Sequence, residues 1–139
     1  MLYLDTSIVV SALTNEARSS EVYAWLGQIS APLFVSGWVQ AELSAALSVK
    51  IRMRVITAAE NRAAREAFQE LVQTSFGDVP ILSSDFGRAS RLAEKHELGL
   101  RGGDALHLAI TERHGATLCT LDKAQAEAGR ALKIETQLI

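Results

Sequence analysis

The sequence has little of what stabilises secreted or membrane-spanning proteins. Only one cysteine, Cys119, is present among 139 residues, so no disulfide can form within the chain. A lone thiol is typical of proteins from a reducing compartment, and we expect a cytoplasmic location. No apolar run approaches the roughly 20 residues of a transmembrane helix, and no basic segment of the kind that begins a signal peptide precedes the first apolar run. We therefore expect no membrane association.

Proline and an excess of charge of one sign are also lacking. Two prolines and no low-complexity tract argue against a disordered chain. The formal net charge is −2, whereas a protein that binds nucleic acid through phosphate contacts alone is usually basic. A nucleic-acid partner would therefore require bound cations or a local basic patch. With 48% hydrophobic residues and neither a linker nor a repeat, the chain is expected to form one domain over residues 1–139.

Strand-like and helix-like segments alternate along the chain. Strands are predicted at 2–5, 33–36, 79–82, 116–121 and 133–136. In the first half of the chain, helices are predicted from residue 7 onward, over SSEVYAWLGQI, and from residue 38 to beyond residue 49. A fourth helix is predicted to begin at the capping box of Thr57 and Glu60 and to end at Gly77. The last two are predicted from Ser84 to about residue 98 and over 104–114, where Gly115 ends the helix. This alternation indicates an α/β domain with a mainly parallel central sheet flanked by helices.

Two carboxylates follow directly after predicted strands. Asp5 interrupts the apolar run MLYLDTSIVV, and Asp122 follows the strand ATLCTL. In a parallel sheet both would lie at the carboxyl edge, where ligands bind. Each also fits a helix N-cap, which would contribute about 1 kcal/mol to stability. For each residue the sequence leaves open whether it is a cap or part of a site.

Two further acidic residues lie on helices that are apolar around them. In WVQAELSAALS the polar side chains recur every fourth position, and Glu42 points about 200° away from that stripe. The alternative for Glu42 is a buried ion pair with an arginine or lysine. Asp104 begins the apolar helix of LRGGDALHLAI, where it could also be a cap, and the two glycines before it allow close approach of backbone or ligand. His107, one turn later, is interpreted as a hydrogen-bonded core residue.

Gathering these four carboxylates would oppose folding unless a cation were bound. Two like charges about 4 Å apart repel by roughly 4 kcal/mol at an effective dielectric constant near 20. Oxygen ligands without a thiolate suit Mg²⁺ or Mn²⁺, and the lone Cys119 and His107 have no zinc-type spacing to other ligands. Such ions bridge phosphate oxygens and activate water, so the pattern indicates a site that cleaves phosphodiester bonds.

Four motifs in order resemble the PIN domain: LYLDTSIVV, VSGWVQAELSAAL, GGDALHLAI and TLCTLDKAQAEAG. The length and motif order are similar to those of the VapC toxins of bacterial toxin–antitoxin pairs, over essentially the whole chain. The resemblance implies a metal-dependent ribonuclease with a parallel sheet flanked by helices. The residues that match its acidic quartet by position are Asp5, Glu42, Asp104 and Asp122. Asp85 would replace Asp122 if the fold differed.

The resemblance also implies roles within the quartet. Asp5 and Asp104 would hold Mg²⁺, directly or through waters, with Mn²⁺ as a substitute. Glu42 and Asp122 would complete the coordination shell or orient the attacking water.

Hydroxyl groups next to the quartet match the family as well. Thr6 and Ser7 correspond to the small hydroxyl residues after the first aspartate, and Thr120 corresponds to the hydroxyl before the last one. We expect Ser7 and Thr120 to donate hydrogen bonds that orient the carboxylates.

Basic residues and partners complete the expectations. The run of Lys50, Arg52 and Arg54 would contact the RNA backbone, or else it is a solvated helix flank. Arg101 is better placed if Asp104 belongs to the site. The resemblance implies a homodimer and a cognate VapB-type antitoxin whose extended or helical tail covers the active-site groove.

Three other classes also place acidic residues on an α/β fold. A response-regulator receiver requires an adjacent acidic pair after the first strand and an aspartate after the third, but LDTS and ILSS supply neither. A haloacid-dehalogenase-type phosphatase requires Asp-x-Asp, which LDTS also lacks. A noncatalytic binding module would keep the fold without the chemistry, and a full quartet argues against it.

Overall fold

Five short strands form the centre of the computed structural model, which describes residues 1–139. The strands are β1 (Leu2–Leu4), β2 (Leu33–Ser36), β3 (Phe76–Val79), β4 (Thr117–Thr120) and β5 (Thr136–Leu138). Every pairing is parallel, and the strands lie in the order β3-β2-β1-β4-β5. The predicted α/β fold with a parallel sheet is therefore confirmed.

Seven helices flank the sheet. They are α1 (Thr6–Leu13), α2 (Ser19–Leu26), α3 (Gly37–Arg52), α4 (Ala58–Thr74), α5 (Ser83–Ala93), α6 (Gly102–His114) and α7 (Lys123–Ala131). The predicted capping box begins α4, since Thr57 and Glu60 each bind the other's backbone N–H through a side-chain oxygen. Gly115 ends α6 as predicted, with a left-handed φ of 56° that glycine adopts without strain. None of the helices combines the length and apolarity needed to cross a membrane.

The path of the chain brings β1 and β4 together at the centre. The chain moves from β1 outward to β2 and β3, and then returns to the other side of β1 as β4. Right-handed crossovers place the helices before β3 on one face of the sheet and those after it on the other. The strand order therefore reverses between β1 and β4, which end at the same edge. Asp5 and Asp122 follow these two strands, at the position where open α/β sheets bind ligands.

A core of 24 buried apolar residues holds these layers together. Leu43 and Leu47 contribute one face of α3, while Leu108 and Ile110 are buried on α6. Fully burying one such side chain contributes roughly 1.5–3 kcal/mol. Cys119 belongs to this core, and its burial raises the pKa of the thiol to about 12, which makes it unreactive at neutral pH.

The third strand lies earlier than predicted. The prediction of 79–82 was wrong because Pro80 has no N–H to donate to a neighbouring strand, so β3 ends at Val79. The prediction that Gly77 ends α4 was wrong for a different reason. Gly77 pairs with Phe34 in β2, and a Cβ at this position would lie 2.3 Å from the Phe34 ring. The glycine is therefore needed for packing within the sheet.

Two further boundaries also differ. The last strand was predicted at 133–136, but Lys133 has a left-handed φ of 59°, which no strand accommodates, and β5 begins only at Thr136. The helix predicted from Ser84 to about 98 ends at Ala93. Lys95 has a ψ of 80°, outside the helical range, and a separate 3₁₀ turn, His96–Leu98, precedes Gly99.

Candidate functional site

Asp5 lies at the junction of β1 and α1 and is 6% exposed. Its side chain caps α1, since Oδ2 accepts a hydrogen bond from the Ser7 N–H at 3.3 Å. The same oxygen accepts hydrogen bonds from the hydroxyl groups of Ser7 (2.5 Å) and Thr120 (2.8 Å). The capping interpretation of Asp5 is therefore confirmed, and three donors occupy one of its two carboxylate oxygens.

Glu42 lies in the second turn of α3, with a side chain that is 30% exposed. Its Oε2 atom accepts hydrogen bonds from Thr6 Oγ1 (2.5 Å) and from His107 Nε2 (2.8 Å). Burial raises the pKa of Glu42, but the interactions with His107, Thr6 and Trp38 together outweigh it and hold the pKa below its usual range. Its partner is thus a histidine, and not the arginine or lysine of the alternative interpretation.

One oxygen of each carboxylate has no strong protein donor. Asp5 Oδ1 lies 3.3 Å from His107 Nε2, and Glu42 Oε1 faces the backbone of Gly103. A Cβ at position 103 would lie 2.7 Å from Glu42 Oε1, so the glycine leaves the space that this oxygen needs. Each carboxylate is therefore anchored through one oxygen and available through the other.

This arrangement fits a hard divalent cation. Asp5, Glu42 and His107 each place one potential ligand atom within 4.8 Å of the others. Carboxylate oxygens are the ligands that Mg²⁺ and Mn²⁺ prefer, and hydrogen bonds to the second oxygen orient such ligands. Two carboxylates and one imidazole therefore form a possible site for a divalent metal ion.

Asp104, in the first turn of α6, is half-buried. Its burial raises the pKa above the usual range, and the negative charges of Asp122 and Asp5 raise it further. The backbone of Arg101 and the nearby His107 lower the pKa of Asp104, but by less. Asp104 lies outside the tight group around Asp5, yet it shares one negative electrostatic environment with the other two aspartates.

Asp122 is exposed and caps α7, accepting a hydrogen bond from the Gln125 N–H (3.1 Å). Its own N–H donates to Thr120 Oγ1 at 3.0 Å, and that hydroxyl donates to Asp5. Thr120 therefore connects the ends of β4 and β1. The contacts of Thr120 and Ser7 with Asp5 are those expected for residues that orient a carboxylate.

Asp85, the alternative to Asp122, has a different role. It is 2% exposed, and its two oxygens accept hydrogen bonds from Arg113 (2.6 and 3.0 Å) and from the Leu82 N–H (2.8 Å). Burial raises its pKa, but the contacts with Arg113 dominate and lower it. With both oxygens occupied, Asp85 stabilises the contact between α5 and α6 and is not a candidate ligand.

The candidate RNA-binding residues do not lie together. Arg52 is ten residues beyond Glu42 on α3, which corresponds to about 15 Å at 1.5 Å per residue, and Arg54 follows it. Lys50 forms an ion pair with Glu16 at 2.5 Å. Arg101, by contrast, is the exposed N-cap residue of α6, three positions before Asp104. Among these cations, Arg101 is the one beside the carboxylates.

His107 is a hydrogen-bonded core residue as predicted, being 1% exposed, but its partners belong to the site. Its other ring nitrogen, Nδ1, lies 3.1 Å from the Tyr3 hydroxyl. Two sequence signals point to these residues. His107 follows Asp104 by three positions and therefore shares its helix face, and Tyr3 places a hydroxyl in a buried strand where it needs a partner.

Comparison with known proteins agrees with this fold. The model of the PIN domain family matches residues 2–131. Three solved structures share the fold at low identity. VapC20 from Mycobacterium tuberculosis, a Sarcin-Ricin loop cleaving toxin, is 17% identical with a TM-score of 0.74, and the match covers 93% of this chain and 95% of that one. VapBC2 from Rickettsia felis, bound to a DNA fragment from its promoter, is 18% identical with a TM-score of 0.67, over 99% and 98% of the two chains.

The third structure, a toxin–antitoxin complex from Klebsiella pneumoniae, is 17% identical with a TM-score of 0.62, over 88% and 87% of the two chains. No curated protein sequence matches significantly. The family model covers nearly the whole chain, and it includes all four acidic residues of the candidate site. The resemblance seen in the sequence motifs is thereby confirmed, and this chain belongs to the PIN domain family.

Proposed function

We propose that this protein is a Mg²⁺-dependent endoribonuclease that hydrolyses RNA phosphodiester bonds, and that it is the toxin of a VapBC-type pair. One observation carries the proposal. Asp5 and Glu42 are each anchored through one oxygen, and each keeps the other oxygen available at the carboxyl edge of the sheet. Capping of α1 accounts for only one of the hydrogen bonds to Asp5, whereas the additional donors on one oxygen of each carboxylate are of the kind that orient metal ligands.

Each acidic residue has a role in this mechanism. Asp5 and Asp104 would hold the ion, directly or through waters, and Glu42 and Asp122 would complete its shell or orient the attacking water. When bound, Mg²⁺ or Mn²⁺ lowers the pKa of water and stabilises negative charge on the phosphate oxygens. The raised pKa of Asp104 supports its assignment, since a cation relieves the repulsion from Asp122 and Asp5.

The remaining polar residues position the substrate and the carboxylates. Ser7 and Thr120 hold Asp5 in a single orientation, and Thr6 does the same for Glu42. Arg101 neutralises a phosphate of the RNA strand beside Asp104, which compensates locally for the net charge of −2. Arg52 and Arg54 would contact the strand only farther from the cleaved bond.

The toxin role rests on the relatives. VapBC2 and the complex from Klebsiella pneumoniae are toxin–antitoxin assemblies with the same fold. We therefore propose a cognate VapB-type antitoxin and a homodimer as the partners of this chain. Exposed apolar side chains, such as Tyr23 on α2 and Phe86 on α5, offer surfaces for such contacts.

Metal dependence tests the proposed activity. Purified protein is expected to cleave RNA with Mg²⁺ or Mn²⁺ and to lose that cleavage in EDTA, with recovery when excess Mg²⁺ is restored. Asp5→Asn should abolish the same activity, because Asn lacks the charge that holds the ion but still caps α1. Undiminished cleavage in EDTA, or a fully active Asp5→Asn variant, would contradict the mechanism.

A further inference from the structure

We propose that His107 is a positioning residue that selects which oxygen of Glu42 faces the ion or the attacking water. This inference rests on the proposed function, because it assigns His107 a task within that same site. The imidazole itself would contact neither the ion nor the RNA. It would act through Glu42, and it would in turn be held by Tyr3.

The contacts of His107 form a chain from the sheet to the carboxylate. Nε2 lies 2.8 Å from Glu42 Oε2, and a carboxylate oxygen only accepts hydrogen bonds, so Nε2 carries the proton and donates. In the neutral ring, Nδ1 then accepts a hydrogen bond from the Tyr3 hydroxyl at 3.1 Å. Tyr3 in turn lies 2.7 Å from Ser36 Oγ at the end of β2. Tyr3, Ser36 and His107 are all at most 2% exposed, so water does not replace these bonds.

Two donors from different helices determine the orientation of Glu42. Thr6 on α1 and His107 on α6 both bind Oε2, which leaves Oε1 as the available oxygen. With Thr6 alone, the carboxylate would be held at one point and could turn about that bond. Glu42 Oε1 packs against Gly103, where a Cβ would lie 2.7 Å from it, and the second donor fixes the carboxylate in this orientation.

A purely structural role for His107 makes a different prediction. In that case, any polar replacement of similar size would destabilise the core to a similar degree and affect the site only through stability. A positioning role depends instead on which ring nitrogen is retained. The distinction can be tested because glutamine and asparagine each imitate one of them.

The test compares His107→Gln with His107→Asn. The amide nitrogen of glutamine is three bonds from Cβ, as the donor Nε2 is in histidine, and the amide oxygen of asparagine is two bonds from Cβ, as the acceptor Nδ1 is. Glutamine therefore keeps the donor to Glu42, and asparagine keeps only the contact with Tyr3. Binding of Mn²⁺ alone, followed by electron paramagnetic resonance, is expected to remain within about threefold of wild type in the Gln variant and to weaken by about 10- to 100-fold in the Asn variant.

Tyr3→Phe provides an independent variant in which His107 and Glu42 are both retained. Loss of the Tyr3 hydroxyl frees the ring at Nδ1, and Mn²⁺ affinity is expected to fall several-fold, though less than in His107→Asn. This variant decides the matter if His107→Asn fails to fold, as judged by thermal melting. Unchanged Mn²⁺ affinity in folded Tyr3→Phe would then overturn the proposal.

Other outcomes are equally decisive. Equal loss of Mn²⁺ affinity in folded His107→Gln and His107→Asn would overturn the positioning role. A nitrogen coupling on bound Mn²⁺ that disappears in both variants would also overturn it, because the imidazole would then be a direct ligand. If the wild type binds Mn²⁺ and cleaves RNA in these cases, the proposed function still stands. If the wild type does neither, both proposals fail.

Discussion

At the scale of single residues, Asp104 is the residue for which two roles can best be distinguished: an acid that only stabilises the start of a helix, and a member of the candidate site. It lies in the first turn of α6, where an anion is favoured by the helix dipole. Its pKa is nevertheless raised by burial and by the charges of Asp122 and Asp5. The folded protein therefore disfavours the ionised form of Asp104, whereas an acid that only stabilised the start of a helix would be favoured in its ionised form.

We expect Asp104→Asn to abolish RNA cleavage without lowering stability. Because the folded-state pKa of Asp104 is raised, the ionised side chain destabilises the metal-free protein as the pH rises through that pKa. In chelator at pH 7, the variant should therefore melt at the same temperature as wild type or a few degrees higher. The difference should vanish below the ordinary aspartate pKa of about 3.9, where the wild-type residue is protonated in both states.

Added Mg²⁺ supplies the second half of this comparison. A ligand that binds only the folded state raises the melting temperature, so wild type should gain more from Mg²⁺ than Asp104→Asn does. Asp78→Asn is the matched control, since Asp78 is an exposed carboxylate on β3, and it should leave cleavage and the Mg²⁺ response unchanged. An Asp104→Asn variant that cleaves RNA normally would leave Asp104 only its role in the first turn of α6, where the helix dipole favours an anion.

At the scale of secondary-structure elements, the contact between α3 and α6 determines the shape of the site. The two helices are separated along the chain by α4, β3 and α5, and they meet where Gly103 faces Glu42 and Trp38. A Cβ at position 103 would lie 2.7 Å from Glu42 Oε1 and 3.5 Å from the Trp38 ring, whereas a Cβ at Gly102 would contact nothing within 4 Å. Two adjacent glycines in the same turn therefore have different functions.

Gly103→Ala is expected to reduce RNA cleavage and Mg²⁺ affinity at least tenfold while leaving folding intact. The added methyl group displaces the Glu42 carboxylate, but alanine favours the helix by about 1 kcal/mol over glycine, which offsets the local strain. Gly102→Ala, the matched control, should be as active as wild type and slightly more stable. The checks are cleavage rate, Mg²⁺ titration and thermal melting, and equal activity of the two variants would contradict the assigned role of Gly103.

At the scale of the whole molecule, an apolar groove between the end of α1, α2 and α4 offers a binding surface. Its volume is about 570 Å³, and eight of its twelve lining residues are hydrophobic, including Tyr23 and Val55, which are 57% and 58% exposed. Met53 is 68% exposed in the same connection but does not line the groove. The groove adjoins the end of α1 opposite Asp5, so it suits an apolar antitoxin segment other than the tail proposed to cover the active site.

Val55→Glu is expected to weaken the complex with the co-encoded antitoxin at least tenfold, because binding would bury an unpaired carboxylate in an apolar groove. Met53→Glu adds the same charge outside the groove and should bind like wild type. Calorimetry of the complex measures the affinities, and light scattering reports whether the chain alone is a dimer. A strict monomer that does not bind the co-encoded protein would contradict the proposed partners.

Local patterns in the sequence determined most of the fold, and the order of four motifs indicated which acidic residues to place in the candidate site. The capping box at Thr57, the helix end at Gly115 and the alternation of strands and helices depend on neighbouring residues, so they could be predicted without a structure. The same holds for Asp5 and Asp122, because each follows directly after a strand. The observed boundaries of β3 and β5, which were predicted wrongly, also depend on local backbone features. These features are the missing N–H of Pro80 and the left-handed φ of Lys133.

Tertiary structure alone decided how the acidic residues are held. Glu42 and His107 are 65 positions apart, and Thr120 is 115 positions from Asp5, so no local pattern specifies their hydrogen bonds. The steric need for glycine at positions 77 and 103 likewise arises from side chains on other elements. Burial and the approach of distant charges raise the pKa of Asp104. The sequence therefore determined which groups reach the carboxyl edge, and long-range packing determined which of their oxygens remain available there.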